Sequence, residues 1–494
     1  MKILLINPPI REWAPPNCFP SGLGYVARAL LDAGHSVEVL DINAHRPDRS
    51  YVESVVEQSG GIDLFAIGGI ITTYAYIKWL SSTIKRAHPT KKIVVGGAVA
   101  SSIPSMLLSR TDVDLVVSGE GEKSCVDLVY CLEQGYDLNG EVGYDEPLDI
   151  KTLPFPAWDL FPMDVYAKNP IGAVNRRKWL DGKMVKDSAD LTLPPVDLHD
   201  SAVSDGACPA VNLDGGENPL PLSINVSASR GCPYSCTYCY HDFMGKKYRR
   251  RDAANIFEEV LALHYKYGIG YVHFIDDTFV GDRRNVLEFC GLMERSGLDV
   301  KWGSTGRIGL MSEELIERMA AAGCVFVTYG IESGSQAMLD VMNKRCTVEQ
   351  ARETLLWTKK YIPDISNTYI VGMPGETRET AMETVRFCNE LEMPPEAIFF
   401  ATPYPGTRLY EQALERNLIG DTEKYIESLW EQGENIAVNF TDMTNNELFA
   451  LREEMIEMTG ATNAVRHEKE RFNHRGTEYR EKRRRETKNG EYGR

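Results

Sequence analysis

The sequence predicts an α/β protein: an N-terminal doubly wound parallel sheet, then a partial or full (β/α)6 barrel and a helical C-terminus. Short apolar runs alternate with helical patterns over residues 1–140. The alternation stops in a Pro/Asp/Gly-rich stretch and returns from Leu222, where six strand–helix units can be placed. That rhythm, with glycine after the apolar runs, is the signature of parallel sheets wound with helices.

In the first region, residues 2–7, 36–40, 64–71, 91–95 and 115–117 read as strands. A helical pattern over 23–33 is stopped by Gly34. Doubly wound sheets take ligands in the crevice beyond the carboxyl ends of their strands. Asn7, Gly68, Thr72, Gly96, Gly97, Gly119 and Glu120 fall there, and the glycines allow close backbone approach to a bulky ligand. Residues 141–221 carry little periodicity. Leu153-Pro-Phe-Pro-Ala-Trp-Asp159 reads as a stiff linker, and a stretch of this length is expected to be functional or disordered.

In the second region the expected strands are 222–228, 271–275, 300–305, 325–330, 365–371 and 397–401, with helices between them. A barrel of this kind carries its active site at the carboxyl ends of its strands. Helical residues 445–458 are expected to close one side of it. The expected domains are thus 1–140, a linker or insert at 141–221, the barrel at 222–410, a helical region at 411–464 and a charged, disordered tail at 465–494.

The net charge of −17 argues against a general nucleic-acid binder, which needs a basic face. No apolar run approaches the roughly 18 residues that suggest a membrane span. The N-terminus reads as a buried first strand rather than a signal peptide, so a cytoplasmic location is expected. The tail, which carries Tyr479-Arg-Glu-Lys-Arg-Arg-Arg, is locally basic and reads either as solvated chain or as a docking segment for an acidic partner.

The 11 cysteines are odd in number and mostly isolated, which does not suit a disulfide framework. One group is clustered: Ser229-Arg-Gly-Cys232-Pro-Tyr-Ser-Cys236-Thr-Tyr-Cys239, just after the first barrel strand. Three thiolates on one loop can each ligate one iron of a [4Fe–4S] cluster and leave the fourth iron open. Structural zinc needs four closed ligands. His241 is near, but no fourth cysteine has zinc-ligand spacing.

This C-x3-C-x-aromatic-C pattern, with Tyr238 in the aromatic place, resembles the radical S-adenosylmethionine (SAM) superfamily. The resemblance covers about residues 222–406. It implies a cluster on Cys232, Cys236 and Cys239, whose open iron chelates the amino and carboxylate groups of SAM. Reductive cleavage then yields a 5′-deoxyadenosyl radical, with electrons from a donor such as flavodoxin or ferredoxin. It also implies SAM contacts at successive strand ends. Asp276 and Asp277 face the ammonium, Arg307 the carboxylate, Glu332 the ribose hydroxyls, and Gly372 of Gly-Met-Pro-Gly-Glu the adenine side.

With the barrel so identified, residues 1–140 resemble the cobalamin-binding, Rossmann-like domain that precedes many radical SAM barrels. Gly68-Gly-Ile70 stands where such domains carry Ser-x-Leu, and Gly96-Gly97 matches their Gly-Gly. The Asp-x-His-x-x-Gly segment after the first strand is absent. Asn7-Pro-Pro-Ile-Arg-Glu-Trp stands there, and His35, beyond the first helix, reads as a surface turn residue. The alternative is a nucleotide-binding or purely structural domain.

The combined resemblance implies a cobalamin-dependent radical SAM methyltransferase acting on an unactivated carbon of a small-molecule substrate. Two other readings stand beside it. One is oxidative ring closure, like that of the anaerobic magnesium-protoporphyrin ester cyclase. The other is a cobalamin-binding or sensing protein with a vestigial barrel. His241-Asp-Phe-Met-Gly-Lys-Lys-Tyr-Arg249, after the cluster, reads as pocket lining or as a basic solvated loop.

Overall fold

Two parallel sheets organise the chain. In the first, β1 (Lys2–Asn7), β2 (Ser36–Asp41), β3 (Leu64–Gly68), β4 (Lys92–Gly96), β5 (Leu115–Val117) and β6 (Gly140–Val142) lie in the order β2-β1-β3-β4-β5-β6. All five neighbouring pairs are parallel. Apolar side chains bury both faces of β1, as a doubly wound sheet requires. The order reverses at β1, which opens a crevice over the carboxyl ends of β1 and β3. This computed structural model describes residues 1–10, 18–143, 148–151, 153–168, 210–211, 220–240, 247–429 and 433–462.

The second sheet is the curved wall of a half-barrel. It runs β15 (Ala397–Phe400), β14 (Asp364–Val371), β13 (Cys324–Glu332), β12 (Lys301–Gly306), β11 (Ile269–Phe274), β8 (Leu220–Val226), β7 (Ala210–Val211). The six long members are parallel, and β7 adds an antiparallel edge. A short antiparallel pair, β9 (Ser229–Arg230) with β10 (Arg249–Arg250), brackets the cysteine loop. The helices outside the barrel wall are cut by local signals. Thr347/Gln350, Thr377/Thr380 and Thr444/Glu447 form capping boxes, and Gly268, Gly297 and Gly460 end helices in the left-handed region.

Several expectations shift. The third strand was expected over 64–71 but ends at Gly68. Beyond it the chain turns through a one-turn helix, Ile71–Thr73. The strand β6 and the helix Arg49–Gln58 were not expected. Leu153–Asp159, read as a stiff linker, is packed: Leu153, Ala157 and Trp158 are buried, and Ala157 N–H donates to the Gly24 carbonyl. The remainder of the insert from 169 to 209, residues 241–246 and the basic tail lie outside the described residues. The helix Asn445–Thr459 does pack on the barrel, with Leu448, Leu451 and Met455 in its core. Among the described residues no helix is long and apolar enough to cross a membrane.

The two sheets share an interface. The Asn225 side chain, on β8, clamps the Phe19 backbone from both sides: its oxygen accepts from Phe19 N–H at 2.7 Å and its nitrogen donates to Phe19 O at 3.0 Å. The segment after β1 is thereby fixed to the barrel.

Candidate active site

The cysteine loop leaves β9 through Gly231, at φ +79°. A side chain would be strained there. Its backbone is pinned by neighbours: Thr237 N–H donates to Met342 O at 3.0 Å, Leu409 N–H to Thr237 O at 2.8 Å, and Asn343 Nδ2 to Ser235 O at 2.7 Å. Cys236 is buried, Cys232 half-buried and Cys239 exposed. Among the described residues no three His, Cys, Asp or Glu side chains converge on one ion. Three thiols on one turn can each take a separate iron and leave a fourth iron open, whereas structural zinc needs four closed ligands.

Two donors face the sulfurs. Thr278 Oγ1 lies 3.3 Å from Cys232 Sγ, and the Arg307 guanidinium lies 3.9 and 4.0 Å from Cys236 Sγ. Such donors stabilise thiolate and tune a bound cluster. Arg307 is further fixed by Lys344 O at 2.7 Å and by the Tyr234 ring, 3.4 Å from its Cζ. Its Nε has no hydrogen-bond partner among the described residues, which leaves a donor for an anionic group such as a carboxylate.

The other expected SAM residues divide. Tyr238 OH donates to Glu332 Oε1 at 2.9 Å, and Lys344 Nζ reaches both, at 3.1 and 2.8 Å. Glu332 sits at φ +72°, an uncommon conformation for a residue with a side chain, held by this triad at the end of β13. Asp276 is buried and turned back onto the chain, where it accepts from the N–H groups of Ala228 and Ser229. Burial pushes its carboxyl up to about 7. It therefore buttresses the entry to the cysteine loop, while Asp277 is the exposed acid at the rim. Gly372 has φ +91°, and its N–H donates to Glu376 Oε2 at 2.6 Å, as does Met373 N–H at 3.1 Å.

Glu376 provides a pH test. Burial raises its carboxyl from 4.5 to about 7. Between those values the folded state holds a proton that the unfolded chain releases, so stability falls as pH rises through 7. Relative to the parent, Glu376→Gln should gain thermal stability progressively from pH 5 to 8, by about 3 kcal/mol at the upper end. Parallel pH profiles of melting temperature for the two proteins would contradict this.

At the N-terminal crevice the glycines have local reasons. A Cβ on Gly97, at φ +86°, would stand 2.5 Å from Gly69 O, and one on Gly68 would overlap Leu23. Gly96 faces open space. Thr72 Oγ1 donates to Ile10 O at 3.4 Å, which ties the two rims of the crevice together. Asn7 does not face open space: its Nδ2 donates to Asp41 at 2.9 Å and to Tyr166 at 3.1 Å, and Tyr166 OH donates to Asp41 at 2.7 Å. Glu120 is likewise committed, to Arg249 at 2.6 Å and Arg230 at 3.2 Å. His35 does stand in a turn, but its ring is packed at the amino end of the sheet beside Met1 and Glu133. His45, just past β2 and exposed, is the histidine nearer the carboxyl ends, and the sequence reading passed over it.

Thr278, Lys344, Glu376 and Arg230 were also missed as site residues. Arg230 and Glu376 sit inside motifs already recognised. Lys344 carries no local signal, because only the packing of its turn against the cysteine loop brings it there.

The radical SAM superfamily profile matches residues 226–388, and the B12 binding domain profile matches residues 12–129. The chain is 29% identical to an uncharacterized methyltransferase of Pyrococcus horikoshii over 441 residues, covering 85% of this chain and 84% of that one. It is 26% identical to the anaerobic magnesium-protoporphyrin IX monomethyl ester cyclase of Rubrivivax gelatinosus, covering 86% of this chain and 72% of the relative. Among solved structures it resembles the radical S-adenosylmethionine methyltransferase TsrM from Kitasatospora setae, solved with cobalamin and a [4Fe–4S] cluster. The TM-score is 0.61 at 19% identity, over 84% of this chain and 75% of that one. With both profiles in the predicted order and the cysteine loop at the mouth of a parallel half-barrel, the chain carries a radical SAM domain with a B12-binding domain ahead of it.

Proposed function

We propose that this chain is a cobalamin-dependent radical SAM methyltransferase that acts on an unactivated carbon of a small molecule. The observation that carries the reading is the cysteine loop: three thiols spread over one pinned turn, with Thr278 and Arg307 donating to two of them. Cys232, Cys236 and Cys239 hold the [4Fe–4S] cluster. A cluster with one open iron supplies the reductive cleavage of SAM that side chains cannot perform.

The chain's own groups orient that cofactor. Arg307 offers its unpartnered Nε to the SAM carboxylate, and Asp277 offers its rim carboxylate to the ammonium. Glu332 meets the ribose hydroxyls, its carboxylate fixed by Lys344 and Tyr238. Gly372 shapes the adenine side. Gly68, Thr72, Gly96, Gly97 and Gly119 would hold cobalamin, with Gly96 facing the open space. Asn7, bonded to Asp41 and Tyr166, and Glu120, paired with Arg230 and Arg249, brace this edge. Similarity to the Pyrococcus horikoshii methyltransferase favours methyl transfer.

Ring closure is the second reading, favoured by the similarity to the Rubrivivax gelatinosus cyclase. Product mass separates the two. Anaerobic incubation with SAM, cobalamin, a reductant and candidate substrates should give a product heavier by one methylene, since methyl replaces hydrogen. A product that has only lost hydrogen would overturn the methyltransferase reading.

Electron paramagnetic resonance of the cob(II)alamin-loaded full chain should lack strong nitrogen superhyperfine splitting from a protein imidazole, because the loop directly after β1, residues 8–20, holds no histidine. Splitting that disappears in His45→Ala would contradict this and assign His45 as a ligand.

A further inference from the structure

We propose that the buried ion-pair cluster of Glu120, Glu122, Arg230 and Arg249 is a positioning device linking the cobalamin edge to the cysteine loop. Occupancy of one site then alters the electronic environment of the other. The proposal rests on the reading that cobalamin binds at Gly96 and Gly119.

The four side chains belong to two sheets. Glu120 and Glu122 follow β5, at the carboxyl edge of the N-terminal sheet. Arg230 and Arg249 are direct partners in the β9–β10 pair. Two guanidinium groups side by side repel, and here the two carboxylates lie against them. Glu120 takes Arg249 at 2.6 and 2.9 Å and Arg230 at 3.2 Å, and Glu122 takes the other Arg230 nitrogen. All four side chains are 4–10% exposed. Arg249 Nη1 also donates to Leu148 O at 2.8 Å, and Leu148 N–H to Glu120 at 3.1 Å. The Tyr25 ring lies 5.3 Å from Arg230 Cζ.

The cluster has a covalent exit and a hydrogen-bonded entrance. Arg230 is followed by Gly231 and then Cys232, so its guanidinium anchors the root of the cysteine loop. On the other side, Gly119 N–H donates to Ser101 Oγ at 2.8 Å, and Ser101 Oγ lies 3.5 Å from Gly97 O. A continuous path thus runs from the Gly96-Gly97 turn through Ser101, Gly119, Glu120 and Arg230 to Cys232. Apolar side chains of similar volume would hold two domains together at least as well as buried charges do. What the charges add is a fixed geometry between directional groups. Truncating one member leaves its partners buried and unpaired, so a disturbance at the edge is felt at the loop.

The test uses the full-length chain, reconstituted anaerobically. Electron paramagnetic resonance of the reduced cluster with SAM is recorded with and without hydroxocobalamin, beside iron content and cobalamin retention. The parent should show a cobalamin-dependent change in the cluster signal. Glu120→Gln should keep iron and cobalamin but lose that change, and its cobalamin affinity should no longer depend on the cluster, because linkage is reciprocal. Arg230→Lys, which keeps the charge, should retain part of the change. If Glu120→Gln does not fold, Glu120→Asp, which retracts the charge by one methylene, is expected to show the same loss. A Glu120 variant with the parent's full cobalamin-dependent change overturns the proposal, as does a parent that binds both cofactors with no such change. A parent that binds no cobalamin overturns the functional reading, and the proposal with it.

Discussion

Cys236→Ala should abolish the [4Fe–4S] cluster and all SAM cleavage while leaving the fold in place. Cys236 is 8% exposed, and its sulfur faces the Arg307 guanidinium. Its loss leaves two thiols on the loop, too few to hold a cluster with one open iron. The loop itself should persist, because its anchors are backbone bonds to Met342 and Leu409 and the Asn343 amide. Iron analysis and 5′-deoxyadenosine formation read the outcome. A variant with parental iron that still cleaves SAM would remove Cys236 from the ligand set.

The second large effect lies away from the chemistry. Arg251 is 1% exposed and pairs with Glu259, which is 2% exposed. It also donates to Ser227 O at 2.9 Å and to Asn255 at 2.7 Å. Burial raises the Glu259 carboxyl, and Arg251 opposes that rise. Arg251→Met leaves a carboxyl buried without its counter-ion and should cost about 3–5 kcal/mol. The double variant Arg251→Met/Glu259→Leu should recover most of this, because burying neither charge is close to neutral. Thermal unfolding of the three proteins measures it. A single variant that melts with the parent would show that the pair contributes little.

The fold was legible where local pattern and tertiary demand coincide. Runs such as 2–7 and 91–95 are buried in a parallel sheet, so their apolar character announced them. The cysteine spacing was equally legible, because three ligands on one loop must lie close in sequence. The strand β6 was not, since Gly140–Val142 is short and half exposed and forms only by pairing with β5. Asp276 illustrates a deeper limit. Its place at a strand end was readable, but whether the carboxylate faces a ligand or the N–H groups of Ala228 and Ser229 depends on how β8 and β11 are registered. Glu120 is the same case. A residue at a crevice edge reads as a ligand contact until Arg230 and Arg249, more than a hundred residues away, are seen to take its charge.

Methyl transfer is tested most directly by the fate of SAM itself. The reconstituted full-length chain, with cobalamin and reductant, is given methyl-deuterated SAM and a substrate that it converts. Methyl transfer predicts both S-adenosylhomocysteine and 5′-deoxyadenosine, with the deuterated methyl group on the product. Unlabelled product formed with 5′-deoxyadenosine but without S-adenosylhomocysteine would contradict it.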